Sequence, residues 1–321
     1  MKEKRIKANG IEFAYLEQGQ GPLLLCLHGF PDNAWSWEHQ IPEFARAGYR
    51  VVAPFLRGYA PSEVPQNGYY DRGTLALDVR ELIGVLNGGK PAIVVSQDWG
   101  AAISYGLLSA FPECVSHAVV MAVPHPTLIR RSMRSPAQLI RAFHWWMFQL
   151  PWLPERISRM NDFAFIEFLW RYWAPGHEDR AHIARIKQTL AAPGSLAAAI
   201  NYYRAALNPR RHDPALAEIR ARMQAPITVP TLALCGAQDI RRFPMRVQQE
   251  CFSGPYEYQE IEGCGHFLQR ERPAEVSKAV LDWLAKSQEQ RALGRVPTSA
   301  PDFQSRAAEL DAGFAPASGV I

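Results

Sequence analysis

The feature that most restricts the fold is a series of short, continuous apolar runs separated by stretches of helical periodicity. "LLLCL" (Leu23–Leu27), "YRVVAP" (Tyr49–Pro54), "PAIVVS" (Pro91–Ser96) and "HAVVMAV" (His117–Val123) are each bounded by Gly, Pro or polar residues. None alternates apolar with polar, so each reads as a strand buried on both faces. Between them Trp37–Ala47, Thr74–Leu86 and Ala101–Phe111 place apolar residues at helical spacing. Strands that must be covered on both sides, alternating with helices that can cover them, imply a parallel sheet. The pattern resumes late, with "PTLALCG" (Pro230–Gly236), "YEYQEIEG" (Tyr256–Gly263) and the helix "AEVSKAVLDWLAK" (Ala274–Lys286). The expectation is an α/β fold with a mostly parallel central sheet covered by helices.

The middle of the chain breaks this pattern. Residues 127–224 hold no convincing strand, are interrupted repeatedly by proline, and carry five of the nine tryptophans: Trp145, Trp146, Trp152, Trp170 and Trp173. This stretch reads as a helical cap inserted between two halves of one core, 1–126 and 225–286. An independent helical domain is the weaker reading, because a single sheet needs both flanks. A chain of 321 residues has room for a large domain with such an insertion. Residues 287–321 turn to Ala, Pro, Gly and Ser with few large apolar side chains, as expected of a loosely packed tail.

Charge and cysteine content narrow the partners. The net charge of +4 is too weak to imply nucleic acid unless focused on one face. The arginines between Arg130 and Arg222 alternate with Leu, Ala and Trp at helical spacing and read as solvated helix faces. Five cysteines, an odd count with no CxxC pair, fit free thiols in a reducing compartment. The start "MKEKRIKANGIEF" has no apolar signal core, and no apolar run approaches the length of a membrane span. A cytoplasmic protein is expected, without nucleic acid or membrane partners; a homodimer is compatible with the sequence. The remaining histidines form no metal-ligand spacing, so neither metal nor cofactor is expected.

Chemistry concentrates at strand ends. "SQDWGA" follows the run ending at Ser96 and precedes a helix, so Asp98 stands at the tip of a strand–turn–helix elbow, with Ser96 and Gly100 as the small flanking residues. A serine nucleophile would need Ser at position 98; the competing role for Asp98 is a helix N-cap. "LHGFPDNAW" (Leu27–Trp35) puts a tight turn after another strand, so the Phe30 N–H, with that of Trp99, can form an oxyanion hole. The Phe30–Pro31 peptide is a candidate for the cis isomer, and His28 reads as a turn residue rather than a base. His266 in "EGCGHFLQRERPAEV" (Glu262–Val276) stands on a loop suited to general-base work. Asp239 in "LALCGAQDIRRFP" (Leu232–Pro244) can hold that imidazole in the right tautomer. The order nucleophile, acid, histidine completes the set.

With these motifs the sequence resembles the α/β-hydrolase family and, within its Asp-nucleophile branch, epoxide hydrolases: "HGFPDNAWSW", "QDWGA" and "GCGHFLQRERPAEV" carry the resemblance. It covers about Ile11 to Ala285 and does not reach the tail. The family supplies acid help to the leaving alkoxide from the cap, usually from two tyrosines. "NYYRAAL" (Asn201–Leu207) resembles the segment holding one, matched by Tyr203; "FHWWMFQLP" (Phe143–Pro151) resembles the other, where His144 replaces the tyrosine. Phe30, Trp99, Trp145, Phe148 and Phe267 are expected to line a pocket for an apolar epoxide, which water would convert to a diol. Relatives usually carry Asp at the position of Phe55, so the loop "PFLRGYAPSE" (Pro54–Glu63) must be held differently.

Two rivals remain. Haloalkane and haloacid dehalogenases share the Asp-Trp elbow, and a His-Trp pair with a cap Tyr resembles the halide site of fluoroacetate dehalogenases. Their carboxylate clamp needs arginines where this chain has Trp99 and Ala102, and the second halide donor of many haloalkane dehalogenases would be an Asn where this chain has Phe30. A catalytically silent binding protein of the same fold would typically lack a triad member, and here all three residues are present.

Overall fold

The computed structural model describes residues 1–292, and residues 293–321 lie outside them. It opens on a hairpin that the search for continuous apolar runs does not find. β1 (Lys2–Ala8) is mostly exposed and charged, and pairs antiparallel with β2 (Ile11–Gln18). Asn9 and Gly10 join them, both left-handed at φ 43 and 79, as a two-residue hairpin turn that matches strand twist requires. The Asn-Gly pair was the available signal.

The expected strands follow. β3 (Leu23–Leu27) leads through α1 (Gln40–Arg46) to β4 (Arg50–Pro54), and α2 (Arg72–Asn87) leads to β5 (Ala92–Gln97). α3 (Trp99–Ala110) leads to β6 (Val115–Met121). The sheet order is β1-β2-β4-β3-β5-β6, continued by β7 (Thr231–Gly236) and β8 (Tyr256–Ile261). β1 and β2 run antiparallel to their neighbours and the rest is parallel. Every residue of β3, β5 and β7 is buried, which is why these strands need no polar alternation. The chain leaves β3 toward β4 on one side and returns to β5 on the other. The crevice beyond the carboxyl ends of β3 and β5 is therefore a topological switch point, where open α/β sheets bind ligands.

Between β6 and β7 the described chain is helical: α4 (Pro126–Ser132), α5 (Pro136–Arg141), α6 (Phe143–Met147), α7 (Leu153–Trp173), α8 (Arg180–Ala191), α9 (Ser195–Leu207) and α10 (Ala217–Arg222). α4 and α5 begin with proline, which the first turn tolerates because its N–H is unpaired anyway. α7 is broken at Met160–Phe163, where Asn161, Asp162 and Phe163 take left-handed φ values of 49, 53 and 60.

The insertion is fastened to the core through α7 and α8. Trp170 of α7 stacks on Phe267 at 3.8 Å and 7°. His182 of α8 bonds buried Asp32 at 2.6 Å, and Asn33 donates to Thr189 Oγ1 at 3.0 Å. The Arg185 guanidinium lies 4.7 Å over the Trp35 ring. The chain closes with α11 (Arg242–Arg246) after β7, then α12 (Leu268–Glu271) and α13 (Pro273–Ala292) after β8. α13 continues past Lys286 because "SQEQRA" contains no Gly or Pro to stop it, so helix occupies the first residues assigned to the tail; the remainder of that expected tail lies outside the described residues. No helix among the described residues is long and apolar enough to cross a membrane.

Candidate active site

The elbow is built from strain and small residues. Asp98 sits between β5 and α3 at φ 51, ψ −116, and its side chain makes no capping bond to the helix. The N-cap role is therefore excluded, and an L-residue is held where its Cβ is crowded, a cost that persists at sites of function. Neighbours come close because they are small. A Cβ on Gly100 would lie 2.4 Å from the Leu27 carbonyl oxygen. One on Gly29 would lie 2.4 Å from both Cβ and Oδ1 of Asp98. Ser96 is buried, donating to the Val119 carbonyl at 3.0 Å.

The two carboxylate oxygens of Asp98 have different partners. Oδ1 accepts from the Phe30 N–H at 2.8 Å. Oδ2 lies 3.3 Å from His266 Nε2 and 3.9 Å from an Arg241 nitrogen. Burial would push this carboxyl up, but the His266 bond and charge, Arg241 and the Phe30 N–H outweigh it and hold Asp98 below its ordinary 3.8. Trp99 opens α3, so its N–H has no partner within the helix.

His266 Nδ1 lies 2.8 Å from Asp239 Oδ2. Burial pulls the imidazole down, yet the Asp239 charge and hydrogen bond, with the Asp98 bond, hold it above 6.5. The loop carrying it is clamped. The two Glu271 oxygens accept from the N–H groups of Gly265 (2.8 Å) and Phe267 (2.9 Å), on either side of His266. Gln97 donates to the His266 carbonyl at 3.1 Å, and the His266 N–H donates to the carbonyl of Trp173, in α7, at 2.9 Å.

The loop after β4 is held by His28. Its Nε2 accepts from the Leu56 N–H at 3.0 Å, so Nδ1 carries the proton and bonds the Gly29 carbonyl, also at 3.0 Å. Burial keeps the ring neutral, down to about 4. Ser62 adds a bond to the Phe55 carbonyl at 2.6 Å, and Arg57 pairs bidentately with buried Asp78 at 2.5 and 2.6 Å. These contacts fix a loop whose first position is the apolar Phe55. The Phe30–Pro31 peptide is cis.

A cavity of about 290 Å³ opens onto Asp98. Of the residues expected to line a substrate site, Trp99 and Trp145 do so, and Phe30, Phe148 and Phe267 do not; Tyr203, expected as a donor, lines it too. Phe30 and Phe148 are spent on edge contacts with Tyr203 at 5.3 and 5.0 Å, and Phe267 on its stack with Trp170. They shape the wall from behind. Burial first, then the Asp98 charge, raise the Tyr203 hydroxyl well above 10, partly offset by a Trp99 hydrogen bond, so it remains a proton donor. His144 is fully buried, its ring 4.9 Å from Trp173 and 5.6 Å from Tyr203. Among the described residues both its nitrogens lack partners, and burial, then Arg241, hold it well below 6.5, hence neutral. It does not line the cavity.

Sequence reading missed Arg241, Glu271 and Gln97. Arg241 stands two residues after Asp239 and Gln97 one before Asp98, so proximity to a named residue was the only signal. Nothing in "QRERPAEV" singled out Glu271.

The family model described as the alpha/beta hydrolase family matches residues 24–279. Epoxide hydrolase 4 of Homo sapiens is 31% identical over 300 residues, covering 87% of this chain and 77% of its own. Epoxide hydrolase A of Mycobacterium tuberculosis is 30% identical over 325 residues, covering 88% and 97%. Among solved structures, epoxide hydrolase A from Mycobacterium thermoresistibile is similar with a TM-score of 0.68 at 27% identity, covering 88% of this chain and 98% of that one.

Proposed function

The chain belongs to the alpha/beta hydrolase family, and from that premise we propose that it is an epoxide hydrolase working through a covalent ester on Asp98. The observation that carries the reading is a carboxylate at the elbow with its two oxygens divided between tasks: Oδ1 on the Phe30 N–H, Oδ2 facing His266. An alkyl ester of Asp can be hydrolysed by a neighbouring base. The ether that a serine would form there could not be.

In the first step Oδ2 attacks an epoxide carbon while Tyr203, which lines the cavity, donates to the ring oxygen; His144, expected as the second donor, packs 5.6 Å from the Tyr203 ring without lining the cavity and serves to position it. In the second, His266, oriented by Asp239, takes a proton from water, which attacks the ester carbonyl. Negative charge then develops on Oδ1, already on the Phe30 N–H, with the unpaired Trp99 N–H as second donor. The carbonyl re-forms as the ester C–O bond breaks, the proton on His266 passes to the leaving oxygen, the water's other proton restores Tyr203, and the diol leaves. Esterification removes the Asp98 carboxylate, whose hydrogen bond is one of the supports for an imidazolium at His266. The base therefore becomes easier to hold neutral when it is needed. Five free cysteines support a cytoplasmic location.

The test is the His266→Gln variant, which should stop at the ester. Exposed to epoxides, haloalkanes and haloacetates, its intact mass should rise by one whole epoxide, and not when Asp98→Asn is added. A gain of an alkyl or carboxymethyl group would replace the reading with carbon–halogen cleavage. That second reading has its own support: the ring nitrogens of His144 and the indole nitrogens of Trp145 and Trp173 are buried without partners, and such donors suit a departing halide.

A further inference from the structure

We propose that the epoxide carries an anionic group, a carboxylate in the simplest case, bound by Arg72 and Arg130 in the cavity that opens onto Asp98; this rests on the epoxide hydrolase reading of Asp98. Four arginines line the cavity, Arg72, Arg130, Arg141 and Arg241, against a single carboxylate, Asp98. Arg241 is accounted for: it faces Asp98, and its own N–H donates to Asp239 at 2.7 Å. Arg130 and Arg141 are exposed at the rim.

Arg72 is different. It is the first residue of α2 and only partly exposed, yet among the described residues its guanidinium makes no hydrogen bond or ion pair. The carboxylate beside it in sequence is engaged elsewhere. Asp71 accepts from the Gly73 N–H (3.1 Å), the Thr74 hydroxyl (2.7 Å) and the Asp213 N–H (3.0 Å), and meets Arg220 at 3.6 Å. What faces Arg72 instead is like charge. Burial, then Arg130, lower its pKa, with Asp71 opposing. The same two arginines, after burial, push His125 down to about 4, so it stays neutral beside them and adds no further positive charge.

Enclosed charges are normally paired, and an unpaired one costs stability. Two arginines lining one cavity whose only carboxylate is Asp98 suit a bound carboxylate, whose two oxygens can accept from both. The wall they share with Asp98 also includes Trp99, Ile129, Trp145 and Leu207. The matching ligand is amphipathic: an epoxide at Asp98, an apolar spacer, and an anionic head.

The test compares epoxyundecanoic acid, bearing a terminal epoxide, with its methyl ester. Wild-type enzyme should favour the acid by about tenfold in kcat/KM at low ionic strength, mainly through KM. The preference should shrink with added salt and collapse toward one in Arg72→Met and in Arg130→Met. Equal turnover of acid and ester by the wild type, or an equal loss of both in the variants, would overturn the proposal. Melting temperature is the control: replacing an unpaired, enclosed charge should not lower it, and a clear fall in Arg72→Met would reassign Arg72 to a structural role. If neither compound yields a diol, the epoxide reading itself has failed. Calorimetry of undecanoate against undecanamide on Asp98→Asn then decides the anion site separately. Carboxylate-selective binding lost in Arg72→Met sustains it, and binding without selectivity ends it.

Discussion

At the scale of residues, the site depends on two side chains whose states are set by neighbours. Asp98 is held at φ 51 with Gly29 pressed against it, so Gly29→Ala would drive a methyl group into the carboxylate. The expected result is a fall in kcat of roughly a hundredfold, the usual consequence of misplacing a reacting atom by about 1 Å, measured by steady-state kinetics on a folded variant. In the resting enzyme the hydrogen bond to the Asp98 carboxylate helps Asp239 hold His266 above 6.5. Once Asp98 is esterified, the rate of ester hydrolysis should rise with pH along an ionisation below that of the free enzyme. Rapid-quench deacylation rates set against an NMR titration of His266 check this, and coincident values would remove Asp98 from the imidazole's supports. The sign for stability is opposite: a raised histidine stabilises the fold below about 6.5 and loses that contribution as pH climbs through its folded value. Asp98, Asp239 and His266 were legible because each stands just past the end of a strand. Arg72 was not, because what distinguishes it is the lack of a partner, a property of space rather than of sequence.

Among elements, the seam between α8 and the loop after β3 carries the clearest prediction. Burial pushes the Asp32 carboxyl up, but the His182 charge and hydrogen bond, with Ser36 and Asn33, more than reverse it. His182→Ala would leave that carboxylate buried and short of its main partner. A loss of about 3–5 kcal/mol is expected, read from urea unfolding at neutral pH. The penalty should diminish in acid, because a lowered carboxyl contributes stability above its unfolded pKa and loses it as pH falls through the folded one. The strands from β3 to β7 were legible to within two residues at their starts and ends, since a strand buried on both faces has no polar alternation to blur it. The first hairpin was not, since one edge of the sheet lies in solvent and β1 is written in charged residues.

For the whole molecule, the insertion and the sheet form one structural unit. Trp170 stacks on Phe267, and α8 is bound to Asp32 and Asn33. Tryptophan fluorescence, weighted toward the helical insertion, and far-UV circular dichroism should therefore follow a single coincident denaturant transition. Separate midpoints would show that the insertion unfolds on its own. The interplay of the two layers was beyond sequence reading, because its contacts join residues far apart along the chain. One of them reaches the chemistry directly: the His266 N–H rests on the carbonyl of Trp173. Exchanging the helical layer with that of a relative, a natural route to new selectivity, would thus also transplant the abutment on which the base is aligned. Chimeras that keep the donor's pocket but displace this one carbonyl should bind their new compounds and turn them over poorly, and recombination would succeed most readily where the crossover leaves Trp173 and the His266 loop from the same parent.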